Sequence, residues 1–442
     1  MKIPTRKIAG AAAMTTLASV SLAAAIEYKD PLDVALTPPE EALERTDTLT
    51  LYVADKIAYD NNIYLLPRSV TDLTTLTGIG PNANREDYID TVSGGMDAEW
   101  LTGRQSFDVG LHADYNRYFR NQDLNNVSSN DRAAWNWGLG NALTGTIGAD
   151  YQRLLAGFSN TAVYSRDIVS RSDYFASMRY QVGPRWGIFG GLLGTDYSVS
   201  AAQGTFNNSK SKGVDVGADF SSATNRIGFD YRYNDSRAPN SAVLNGVLFD
   251  PDYREDRARV LLRYALTEKT LVDASAGYLR RQYPSDAIGS FSGEIWRVAV
   301  QWQPTPKTQL LLGVWQQLAA DLTSQTDYFV DKGVSLTPQW IASAKITFSA
   351  IIARDTNNYI GSNPVGSIPI SPIPVAPSTQ ARHDTITAET ANMVYTPIRA
   401  IAITVSANHS TRNSNISQFH YNDIQGNVTV VYKFFRYGNA PE

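Results

Sequence analysis

Four histidines, His112, His383, His409 and His420, are spread over the chain, and none stands in a nucleophile or zinc-site pattern. Hydrolytic chemistry would need one of them beside a serine or aspartate, a pairing that spacing alone leaves open. There is no cysteine, so neither a disulfide framework nor a thiolate metal site exists, and no motif calls for a metal or cofactor. The more informative residues are charges that alternate with apolar side chains. Asp108 and Asp114 come first, then Arg226, Asp230, Arg232, Arg257, Arg259, Arg263 and Arg297, with Asp150, Asp215, Asp219 and Asp273 among or before them. Such rows belong on a wetted wall. There they either form charged rings that select a passing solute or pair arginine with aspartate across neighbouring strands. Trp315 and Phe175 share that parity and could stack on sugar rings.

The elements that hold these rows are strands. Between Glu294 and Gln316, Trp296, Val298, Val300 and Trp302 fall on one parity and Arg297, Ala299, Gln301 and Gln303 on the other. That is a period of two, with one apolar and one polar face. Pro304 to Lys307 break the run, and Leu310, Leu312 and Val314 then alternate with Gln309, Gly313 and Trp315, which makes a hairpin. The same alternation recurs. Phe107, Val109, Leu111, Ala113 and Tyr115 oppose Asp108, His112, Asp114 and Asn116, and Ala258, Val260, Leu262 and Tyr264 oppose Arg257, Arg259 and Arg263. Short breaks are expected at Thr102-Gly103, Thr144-Gly145, Gly183 to Arg185, Ala223 to Asn225, Thr267 to Lys269, Pro304 to Lys307, Pro338-Gln339 and Thr396 to Arg399. Longer polar breaks lie between them, near 61–85, 120–130, 159–170, 200–211, 236–254, 283–291, 321–329, 356–382 and 414–418. A soluble β-sandwich does not explain this regular alternation. The pattern predicts an all-β fold, a transmembrane antiparallel up-and-down β-barrel of about eighteen strands, with both termini on the short-turn side. Because a charge at mid-membrane on the lipid face costs about 2–4 kcal/mol, the charged parity must face the lumen. Only Asp55, among Leu49, Leu51, Val53, Ile57 and Tyr59, breaks the apolar side of the first strand.

Composition and the termini agree. Mean hydropathy is −0.26, yet there are 24 Tyr and 8 Trp, as expected for a sheet with one greasy and one wet face. Lys2, Arg6 and Lys7 precede an Ala-rich apolar run that ends at Ala23 to Ala25, the pattern of a cleaved secretory signal over residues 1–25; a retained anchor helix is the alternative. Its removal takes away three basic side chains and no acidic one, moving the formal charge from −4 to −7 and leaving no basic surface for nucleic acid. An exported chain without a 20-residue apolar helix can live in a membrane only as a barrel. Residues 26–46 then read as a periplasmic lead-in, 47–435 as the barrel and 436–442 as a tail. Ser362 to Thr379, with five prolines, reads as an extended external segment, either a surface loop or a lid on the pore.

Several short stretches resemble one family. TyrAspAsnAsnIleTyrLeuLeuPro (59–67), AlaTrpAsnTrpGlyLeuGlyAsn (134–141), TrpGlnProThrProLysThr (302–308), LeuThrProGlnTrp (336–340) and ArgAsnSerAsn (412–415) are similar to the EpsL-type outer-membrane proteins of exosortase-associated exopolysaccharide clusters, within the wider β-barrel porin class. The resemblance implies a Gram-negative outer-membrane barrel, no enzyme, that takes part in exopolysaccharide biosynthesis and export. Its implied partners are outer-membrane lipid, exopolysaccharide and periplasmic polysaccharide-export components. Composition and spacing by themselves reach only an outer-membrane pore. Polymer export calls for a wide lumen, a general small-solute porin for a lumen narrowed by a folded loop, and a barrel-embedded enzyme for His, Ser and Asp converging at one rim.

Overall fold

The computed structural model describes residues 47–437 apart from 77, 160–163, 201–207, 223, 240–241, 245–246, 285–288, 321–327 and 361–380. The expected secretory signal and periplasmic lead-in, and the Pro-rich stretch, therefore lie outside the described residues. Eighteen antiparallel strands form one sheet in which each strand pairs with its chain neighbours and β1 (Thr48–Asp60) pairs with β20 (Tyr421–Tyr437), closing the barrel. The strands between are β2 (Asp87–Thr102), β3 (Gln105–Tyr118), β4 (Asn126–Leu139), β5 (Leu143–Leu155), β6 (Ile168–Val182), β7 (Trp186–Val199), β8 (Ser209–Ser221), β9 (Arg226–Arg237), β12 (Tyr253–Thr267), β13 (Thr270–Gln282), β14 (Phe291–Thr305), β15 (Thr308–Ala320), β16 (Tyr328–Ser343), β17 (Ile346–Ile360), β18 (His383–Ile398) and β19 (Ile401–Ser414). A separate hairpin, β10 (Ala242–Leu244) with β11 (Val247–Phe249), lies in the long connection after β9.

Burial is inverted relative to a soluble protein. Trp100 is 64% exposed, Met178 58% and Ile188 56%, while Asp219 and Asp423 on the opposite parity are at 1% and 0%. Exposed apolar area on that scale far exceeds the few hundred Å² that soluble monomers tolerate, so hydrocarbon must cover it. Along most strands four or five outward apolar residues run up from an aromatic near the short turns: Trp340, Leu336 and Val334 on β16, Phe348 and Ile352 on β17, Trp302 to Trp296 on β14. Above them the outward positions turn charged on strand after strand: Lys332, Arg354, Glu389, His409, Asp90, Arg117, Arg153, Asp196, Lys212, Asp256, Arg280 and Glu294. Asp55 does face outward, as its parity requires, and it belongs to this upper charged border.

Four details differ from the expected boundaries. The turn after β4 is at Gly140, with φ +59°, and Gly145 lies inside β5. Gly145 is directly opposite Trp137, whose indole lies where a Cβ would be, so the glycine marks a packing contact within the sheet. Pro338 likewise sits inside β16, where the ladder to β17 skips from Leu336 to Gln339 because proline has no N–H to give; the turn comes at 344–345. At the closure, β20 runs to Tyr437, opposite Leu49, two residues past the expected end of the barrel at 435. The strands also reach past the apolar belt on the long-loop side. β4 starts at Asn126, β17 ends at Ile360 and β6 starts at Ile168, which shortens the connections.

Candidate functional site

All nine predicted pore-lining residues have inward parity, and the structure adds their partners. Arg226 Nε lies 3.3 Å from Asp219, and Arg179 Nη2 donates to the same aspartate at 2.7 Å. Arg232 Nε donates to Asp215 at 3.0 Å, Arg259 Nε to Asp230 at 3.1 Å and Arg263 Nε to Asp273 at 2.8 Å. Arg257 is within electrostatic reach of Asp215. Arg226–Asp219, Arg232–Asp215, Arg259–Asp230 and Arg263–Asp273 bridge adjacent strands, Arg179 on β6 reaches Asp219 on β8 past β7, and all but the part-exposed Arg263–Asp273 pair are largely buried, so cross-strand pairing describes this wall better than rings of free charge. Arg297 differs. It is exposed to the lumen, and no ion pair is formed by it among the described residues. Asp108 and Asp114 accept hydrogen bonds from Asn136 and from Ser128 (3.4 Å) on β4.

The wall is electrically two-sided. On the barrel strands from β4 to β14, inward arginines outnumber inward carboxylates, with Arg132–Asp150, Arg171–Asp173 and Arg281–Glu255 completing the pairs above. On β15 to β20 and β1 to β3 the balance reverses, with Asp331, Asp355, Asp384, Asp423, Asp60 and Asp87 among the inward residues.

Two external connections fold over the acidic side. The connection 61–86 closes on itself through Asn62, which is buried: its Nδ2 donates to the Leu66 carbonyl (2.9 Å) and to Asn422 on β20 (3.0 Å), and the Leu66 N–H donates to its Oδ1 (3.0 Å). Leu65 takes φ +51° within that turn. Arg85 reaches back to the carbonyls of Leu66 and Pro67 at 3.0 Å each. Tyr64 and Leu66 then pack with Tyr118, Leu124 and Phe158 into an apolar cluster. Tyr118 is an inward residue of β3, and Phe158 belongs to the connection after β5. Ser159, next to Phe158, meets the far side of the opening, where Arg412 Nη1 on the inner face of β19 donates to its carbonyl. β5 and β19 are six strands apart around the wall, roughly 30 Å at the usual strand spacing. Asp87 fixes the foot of the assembly by accepting from the Phe119, Arg120 and Asn121 N–H groups at 2.8–3.1 Å. Burial, with the charges of Asp123 and Asp87 adding to it, pushes the Tyr64 phenol up to about 12.

Sequence reasoning missed this assembly because loop residues have no period to betray them. The available signal was apolar content where a polar break was expected: Ile63, Tyr64, Leu65 and Leu66 stand together just past β1. Trp315 and Phe175 do point inward, but both are covered, at 7% and 5% exposed. Trp315 lies over Gly333 and Phe175 over Gly148 beneath Arg132, so neither offers a free stacking face. The histidines stay apart. His112 lies beside Asp97 and the Asn130 carbonyl, His383 beside Asn358, His409 faces outward beside Glu389, and His420 meets the Ser414 carbonyl.

No protein-family model matches the chain, and no curated protein matches it. Solved outer-membrane proteins share its shape at low identity. OpdK from Pseudomonas aeruginosa superposes with a TM-score of 0.47 at 9% identity, over 89% of this chain and 99% of that one. OccAB3 from Acinetobacter baumannii gives 0.48 at 8%, over 88% and 99%. P. aeruginosa OccK2 (OpdF), in complex with glucuronate, gives 0.46 at 8%, over 88% and 98%. At these values no solute or partner passes from them to this chain.

Proposed function

We propose that the chain is an outer-membrane porin through which small polar solutes diffuse, exported by its N-terminal signal and held by lipid around its apolar belt. One observation carries the reading: Ser159, in the connection after β5, is held by Arg412 across the opening, and its neighbour Phe158 shares an apolar cluster with the connection after β1. A loop-narrowed mouth suits solutes of a few ångströms and obstructs a polymer strand. The resemblance to EpsL-type proteins implies polymer export instead, and Trp315 and Phe175, the aromatics expected to stack on sugar, are covered and do not favour it. The lumen receives no catalytic step in this proposal. Charged side chains on opposite walls would orient a dipolar solute as it passes. Deleting the gene is expected to lower uptake of small hydrophilic solutes by whole cells and to leave secreted polymer unchanged. Loss of secreted polymer with synthesis intact, and with solute uptake unaltered, would reverse the assignment.

A further inference from the structure

Between β15 and β17 the inner wall holds two carboxylates that the arginine network does not reach. Asp331 on β16 is directly opposite Asn357 on β17, and Asp355, the preceding inward residue of β17, is opposite Gly333. Asp331, Asp355 and Asn357 are 2%, 4% and 6% exposed. Asp331 Oδ2 accepts from Trp315 Nε1 at 2.7 Å and from Gln317 Nε2 at 3.0 Å. Its Oδ1, Asp355 Oδ1 and Asn357 Oδ1 are buried with no donor among the described residues. Several other buried wall carboxylates meet arginine, namely Asp215, Asp219 and Asp230 as described, and Asp384, which is opposite Asn357, through Arg382 at 3.1 Å; Asp60 and Asp423 instead share Gln425. Here the sequence neighbours Lys332 and Arg354 have the outward parity, and Arg297, opposite Trp315, extends into the lumen.

Such a set of buried oxygens calls for positive charge. Two buried carboxylates on neighbouring strands do not both stay ionised unless positive charge is supplied. The open groups are oxygens alone, with no imidazole or thiolate, which is the donor set of a hard cation. Gly333 keeps them together: a Cβ there would collide with Asp355 Oδ1 and with the Trp315 ring, so only glycine lets the carboxylate and the indole edge close over the backbone. We propose that Asp331, Asp355 and Asn357 form a site in the barrel wall for one hard divalent cation of the calcium type. Bound there, the ion neutralises the pair and ties β16 to β17 beside Trp315.

The Trp315 indole provides the readout, because it can sensitise luminescence from terbium, a calcium surrogate. Full-length protein in detergent is titrated with Tb³⁺ under indole excitation and then with Ca²⁺. Wild type is expected to give saturable luminescence that Ca²⁺ displaces. Asp331→Asn and Asp355→Asn are expected to weaken it by at least about tenfold, the minimum set by loss of a mere outer-shell partner. Gly333→Ala should weaken it as well, and Asn357→Asp should tighten it by adding charge. Heat-modifiable gel migration establishes that each variant forms the barrel, and the Asn357→Asp and Gly333→Ala titrations decide the matter if the Asp variants do not assemble. A wild-type signal that Ca²⁺ does not displace, or variants that titrate like wild type, would overturn the site.

Discussion

Phe158→Ala should open the mouth without touching the barrel. The ring is 7% exposed and lies 4.9 Å from the Tyr64 ring and 6.2 Å from that of Tyr164, all three in loops outside the ladder. Truncating a buried phenylalanine costs about 3–5 kcal/mol. At 1.4 kcal/mol per tenfold, that lowers the attached population relative to the detached one by about two to three and a half powers of ten. What remains is the Arg412 to Ser159 and Arg166 to Asn125 hydrogen bonds, each worth about 1.5–3 kcal/mol for a charged donor, and the edge contact of Tyr164 on Tyr64, set against the entropy of an ordered loop. Local openings lie at the low end of a protein's stability range, so the loop is expected to detach far more often than in the wild type. Single-channel recording in planar bilayers should then show higher mean conductance and more open-channel noise, with heat-modifiability unchanged. A folded variant with wild-type conductance and noise would refute the argument that these loops narrow the pore.

The remaining expectations concern the wall, the loop and the topology. Val260→Arg places a charge on the apolar belt at about 2–4 kcal/mol and should impair assembly, whereas Arg263→Ala, whose partner is half exposed, should assemble normally; equal assembly would show the parity to be wrong. Arg259→Ala is a harsher change, because Asp230 is left buried without its partner at about 3–5 kcal/mol, and a lower unfolding temperature than that of Arg263→Ala should report it. Because the Tyr64 phenol is raised to about 12, its folded form keeps the proton after an exposed tyrosine has lost it; loop stability is full below about pH 10 and falls as pH rises towards 12, so conductance should climb over that interval in wild type and less in Tyr64→Phe. The cysteine-free background suits single-site labelling: Arg68→Cys on the long-loop side should react on whole cells and Glu268→Cys in a short turn should not, and the reverse would invert the topology.

Most of the barrel was legible because side chains alternate with period two and a charge on the wrong face is expensive. That is why Arg259 and Val260, adjacent in sequence, could be assigned to opposite faces, and why strand number followed from the breaks. Pairing was only partly legible. Parity puts Arg232 on the lumen face, but only the register shows that Asp215 is directly opposite it. Glycine and proline misled where they serve the sheet itself. Gly145 makes room for Trp137 and Pro338 sits at a gap in the ladder, and both carry the composition of a turn. The folded loops were not legible, since Phe158 meets Tyr64 through tertiary packing alone.

The most direct test is the size limit of the purified, full-length barrel in liposomes, followed by osmotic swelling with neutral sugars of increasing size. Swelling should be rapid with a monosaccharide, fall steeply by the trisaccharide, and recover for larger sugars in Phe158→Ala. Swelling that stays rapid with long oligosaccharides in the wild-type protein, or that is absent with every sugar, would contradict a small-solute channel narrowed by its own loops.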